Sequence, residues 1–112
     1  MLNVDGLTFS YAIEELPPGK LPFRRWRWEL WHGARLEAAG WRVSERDALR
    51  ALWLHASRVG HRLFGLAAPT PDARAVPPFH PGAAVRGRHG AIDFTLAPRA
   101  LAEQGAAWPS RT

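Results

Sequence analysis

The sequence predicts a small α+β domain. It reads as a three-stranded antiparallel meander with one helix packed on a face (β-β-β-α), then a Pro-rich extended arm that adds a fourth strand and a short helix. Three observations predict this. Residues 7–14, LTFSYAIE, alternate apolar and small or polar side chains with period two, the mark of a half-buried strand. Residues 23–32 and 35–43 repeat that alternation on either side of His32-Gly33-Ala34. From Ser44 onward the apolar period lengthens to that of an amphipathic helix.

The first strand carries Leu7, Phe9, Tyr11 and Ile13 on one face and ends before a loop, because Pro17 and Pro18 cannot donate to a ladder. In FRRWRWELWH, Trp26, Trp28 and Leu30 share one face, and Arg25, Arg27, Glu29 and Trp31 the other. A three-residue turn at His32-Gly33-Ala34 sets Leu30 opposite Leu36 and Trp28 opposite Ala38, which keeps one face apolar. That register places Trp31 and Trp41 on the outer face with Arg25 and Arg27. It also sets Glu29 opposite Glu37.

Ser44 is a good N-cap, with Glu45 and Asp47 in the first turn, where acidic groups favour the helix dipole. Ala48, Leu49, Leu52, Trp53, Ala56, Val59, Gly60 and Leu63 recur at helical spacing, and Gly65 supplies the stop. The helix is expected over 45–64. Residues 67–90 then bring Pro69, Pro71, Pro77, Pro78 and Pro81, a composition for extended chain. RGRHG at 86–90 reads as a basic loop. AIDFTLA alternates again at 91–97, and Pro98 opens a short helix over 98–104. The expected division is a hairpin–helix domain over 1–66 and an arm over 67–112.

Composition narrows the function. The chain has 112 residues, 15 Lys+Arg against 10 Asp+Glu, a formal charge of +5 and a pI near 11.2. All the basic residues but Lys20 are Arg, and there are 6 Trp and no Cys. The length suits one small domain without a deep enclosed active site. The lack of Cys excludes disulfides, thiolate metal sites and Cys nucleophiles. No apolar run is long enough to span a membrane. The start, MLNVDGLTFSYAIEE, has no basic stretch before an apolar one, so a cytoplasmic location is expected.

The chemistry-bearing residues form no known constellation. His32, His55, His61, His80 and His89 make no HxxxH or HExxH pair, so no metal site and no cofactor are expected. Glu29 and Glu37 resemble an acid/base dyad in the expected register, but Arg25, Arg27 and Arg35 beside them would neutralise both. Ser44 reads as a cap and Ser57 as an exposed helix position. The expectation is a protein that is not an enzyme.

What remains is Trp and Arg, the residues most enriched at binding hot spots. Trp26, Trp28 and Trp53 fall under the helix and read as core. The candidate partner-binding residues are therefore Arg25, Arg27, Trp31 and Trp41 on the outer face, Arg86 and Arg88 in the basic loop, and Trp108 at the end of the arm. A larger protein is the expected partner. Nucleic acid is the runner-up, with Arg24, Arg25, Arg27, Arg86 and Arg88 on phosphates.

The run Trp26-Arg27-Trp28, followed by Gly40, Ser44, Arg50-Ala51 and Phe64-Gly65, resembles component D of soluble methane monooxygenase. That is a small accessory protein of bacterial diiron monooxygenase operons. The resemblance covers residues 23–66, and the arm has no counterpart in it. It implies a non-catalytic regulator, without a cofactor of its own, that docks on the diiron hydroxylase and competes with the activating regulatory component. Inhibition, help in assembly and a link to copper-responsive regulation are what it suggests. The substrate of such a hydroxylase would be methane, another short alkane or an alkene.

Overall fold

The structure is a computed structural model that describes residues 7–20, 22–70, 76–78 and 80–100. Six elements follow in order: β1 (Thr8–Glu15), β2 (Trp26–His32), β3 (Arg35–Arg42), α1 (Glu45–Leu63), β4 (Val85–His89) and β5 (Ile92–Pro98). They build one five-stranded mixed sheet in the order β3-β2-β1-β5-β4. The α+β class holds, but the three-stranded meander with a trailing arm is corrected. The segment after the helix returns to the sheet, and β5 runs parallel to β1, pairing Phe9 with Leu96.

The physical reason is that β1 has two edges. β2 satisfies one, and the backbone groups of the other need a partner as well. β5 supplies it and brings Ile92, Phe94 and Leu96 to the helix face, all within 1% exposure. RGRHG is not a loop but most of β4, the hairpin partner of β5, with Arg88 opposite Asp93. The strand expected at 91–97 is β5. No helix starts at Pro98, which pairs with Tyr11 in the sheet, and residues 101–104 lie outside the described residues. The Tyr11 hydroxyl, 2.6 Å from the Ala83 carbonyl, ties the approach to β4 down to the central strand.

α1 crosses one face of the sheet. Ala48, Leu52, Trp53 and Ala56 are completely buried against Phe9, Trp28, Leu30 and Phe94. Trp28 and Trp53 are core, as expected, and Trp26 is packed against it. Ser44 caps the helix, its hydroxyl accepting from the Asp47 amide at 3.1 Å. At the other end Gly65 has φ +69°, and the Leu66 amide reaches back to the His61 carbonyl at 2.8 Å.

The β2–β3 register also differs from expectation. The turn is the two-residue Gly33-Ala34, since His32 pairs with Arg35. Glu37 then bulges, so that Leu36 opposes Trp31 but Ala38 opposes Leu30 and Gly40 opposes Trp28. The bulge restores the apolar face that a longer turn was expected to secure. Glu29 consequently pairs with Ala39, and the Glu29–Glu37 dyad does not form.

Candidate interaction surface

Alternation assigns the helix-free face of the sheet. From β3 across to β4 it carries Trp41, then Arg27, Glu29 and Trp31, then Ser10 and Ala12, then Asp93 and Thr95, then Arg86 and Arg88. This face is not uniformly open. Trp31, expected to be exposed, is buried at 4%. Its indole N–H donates to Glu29 at 3.0 Å, and the Arg99 guanidinium lies 4.0 Å from its ring centroid. Alternation told which side Trp31 occupies but not that Arg99, just beyond β5, folds back over it. Trp31 is therefore withdrawn as a contact residue.

Arg27 is also committed. It sits 3.2 Å from Glu29, whose carboxylate is 2% exposed and also accepts from the Trp31 indole. Arg86 and Arg88 stand on the opposite edge strand, four strand spacings or roughly 19 Å from Trp41. Arg88 approaches Asp93 at 3.8 Å. Trp108 lies outside the described residues. Among the described candidates, Arg86 and Arg88 are thus separate from Trp41.

What survives is the β3 end. Trp41 is 44% exposed and stacks on Phe23, also 44% exposed, with centroids 6.0 Å apart and planes 21° from parallel. Arg25 lines the adjoining open cleft of about 360 Å³ together with Pro17, Pro18, Pro22 and Phe23. Arg25 has no carboxylate partner among the described residues. Sequence reasoning misses Phe23 because it counts residue 23 as the start of the strand, whereas β2 begins at Trp26; the available signal is a large aromatic beside Pro22.

The helix side of the same edge is cationic. The His55 ring packs on Trp28, centroids 4.9 Å apart. Burial first, then Arg58 and Arg42, push the His55 imidazole below its ordinary range. Among the described residues no carboxylate offsets that field. Glu37, the nearest acid on β3, is held between Arg35 at 3.8 Å and Arg62 at 3.3 Å.

One polar cluster lies in the interior. Ser57, expected on the surface, is 2% exposed, beside His61 at 1% and His89 at 7%. The Ala91 amide donates to His61 Nε2 at 3.2 Å, so Nδ1 carries the proton and donates to the Ser57 carbonyl at 2.7 Å. His89 Nδ1 is 2.5 Å from the Ser57 hydroxyl. The arrangement superficially resembles a nucleophile–base pair, but its atoms are enclosed, and they tie α1 to the β4–β5 turn. Among the described residues no group of three or more His, Asp or Glu gathers to hold a metal ion. Among them, too, no helix is long and apolar enough to cross a membrane.

No known protein family, curated protein or solved structure matches the chain.

Proposed function

We propose that the chain is a non-catalytic, protein-binding accessory subunit, and that its partner is the diiron hydroxylase of a bacterial multicomponent monooxygenase, which it regulates, inhibits or helps to assemble. The observation that carries the docking reading is the exposed Phe23–Trp41 stack beside Arg25, which has no carboxylate partner among the described residues. Two large aromatics held face to face in solvent are already ordered, so a partner can bury them at little further entropic cost. The choice of partner rests on the resemblance of residues 23–66 to component D. The experiment is size-exclusion chromatography of the chain with purified hydroxylase. A stoichiometric complex that lowers hydroxylase turnover supports the reading, and separate elution at micromolar concentrations refutes it.

The runner-up is a small basic nucleic-acid-binding regulator, favoured by the formal charge of +5. Against it, Arg24, Arg27, Arg35, Arg50, Arg62 and Arg88 each stand within 4 Å of a carboxylate, so these guanidiniums would have to leave or share an internal partner to meet phosphates. Titration of labelled DNA and RNA at two salt concentrations separates the readings, because phosphate contacts weaken steeply with salt.

A further inference from the structure

β3 is an edge strand. Its backbone pairs with β2, and on its other side the Trp41 carbonyl is met by the Arg42 guanidinium of its own strand, at 2.9 Å, with no neighbouring strand among the described residues. The two halves of this edge differ. The first half bulges at Glu37 and is crowded by Arg35 and Arg62, devices that discourage a further strand. Residues 39–42 have no bulge and continue straight to the end of the strand.

The surroundings of residues 39–42 are two-sided. On the helix-free side stand Trp41 and its stacked neighbour Phe23. On the helix side, Arg42 shares the face of Gly40, on which the Trp28 ring rests, and that ring carries His55 of α1. Arg58 lies three residues beyond His55, one turn along the helix. Neither Arg42 nor Arg58 has a carboxylate partner among the described residues.

We propose that residues 39–42 of β3 are a docking edge for an extended segment of a partner protein in which Asp or Glu alternates with aliphatic or aromatic residues. Strand addition draws affinity from main-chain hydrogen bonds and specificity from alternate side chains. Side chains of the added strand beside Ala39 and Trp41 turn to the helix-free face and meet the aromatic stack. Those beside Gly40 and Arg42 turn to the helix side and meet the Arg42 and Arg58 guanidiniums. The period of two thus imposes an apolar–acidic alternation on the partner. The inference rests on the protein-docking reading above and specifies the chemistry of the docked segment.

The test uses the full chain and three synthetic peptides: one alternating Val and Glu, one with the same residues in blocks, and one alternating Val and Lys. Amide hydrogen exchange followed by NMR reads the site. The alternating Val/Glu peptide is expected to slow exchange at the outward-facing amides of Ala39 and Trp41, and the other two to leave it unchanged. Trp41→Ser and Arg42→Glu should each weaken that peptide about tenfold. The Arg42→Glu, Arg58→Glu double variant should gain binding of the Val/Lys peptide, which a mere folding defect would not produce. Equal protection by the block peptide, or none at Ala39 and Trp41, overturns the proposal. A hydroxylase complex indifferent to Trp41→Ser and Arg42→Glu would overturn the docking edge and keep the accessory-subunit reading. Peptide protection without any hydroxylase complex would do the reverse.

Discussion

The indole of Trp28 rests on Gly40 across the β2–β3 pair: a Cβ at Gly40 would lie 3.2 Å from both Nε1 and Cζ2 of the ring. Trp28 is 2% exposed and backed by His55, so the ring has nowhere to retreat. Gly40→Ala is therefore expected to cost about 1–2 kcal/mol, net of the backbone entropy an Ala recovers. A thermal melt should show a drop of several degrees, and Trp28→Leu in the same chain should relieve the Gly40→Ala penalty. The contact also explains why a Trp and a Gly stand at this spacing. The Trp28–Gly40 spacing is a packing requirement of the hairpin rather than a docking feature.

Among the contacts of the buried Glu29 carboxylate are the Trp31 indole at 3.0 Å and Arg27 at 3.2 Å. Removing the acid takes an acceptor from each. Glu29→Ala should destabilise by about 2–4 kcal/mol, whereas Glu29→Gln keeps an acceptor for Trp31 and should cost about 1–2 kcal/mol. Urea unfolding of the two variants checks the order. Equal costs would mean that the charge on Glu29 carries the whole contribution, and that the acceptor and shape kept by Gln add nothing.

His55 gives the fold an acid sensitivity of known sign. Its native imidazole is held below the ordinary 6.5, by burial first and then by Arg58 and Arg42. Below 6.5 the unfolded chain takes up a proton that the native state still resists. The His55 contribution is thus complete above 6.5 and is lost as the pH falls from there through the native value. Denaturant midpoints of wild type should fall between pH 7 and pH 5, and His55→Gln should flatten part of that fall. Arg58→Gln should flatten it too, by removing the larger of the two charge effects.

Legibility in the sequence tracked the range of the interactions. α1 was readable to within a residue at each end because its signals, Ser44 and Gly65, act on their own neighbours. The face of Trp28 follows from alternation within its own strand, and that of Trp41 from keeping one face of the hairpin apolar. The register did not, because the Glu37 bulge is an extra residue within the ladder, which a turn length cannot reveal. The parallel pairing of β5 with β1 joins Thr8 to Thr95, and the Pro-rich stretch between them masked it as an arm. Trp31 shows the limit most plainly. Its side of the sheet was correct, but its cover, Arg99, comes from the far end of the described chain.

The β4–β5 turn tests whether the buried Ser57–His61–His89 cluster is a strut. Gly90 has φ +63°, and a Cβ there would lie 2.6 Å from His61 Nε2, the atom that accepts from the Ala91 amide. Gly90→Ala thus meets both a left-handed backbone penalty, about 1–2 kcal/mol, and displacement of His61. Ser57→Ala removes the hydroxyl facing His89 Nδ1 and leaves the His61 bond to the Ser57 carbonyl intact, for about 1–3 kcal/mol. If the three side chains act as one strut, the double variant should cost less than the sum of the singles, because either change already loosens the turn. Both singles should also speed amide exchange across β4 and β5 more than across β2 and β3. Additive costs with uniform exchange would mean that the cluster fills space without tying the helix to the hairpin.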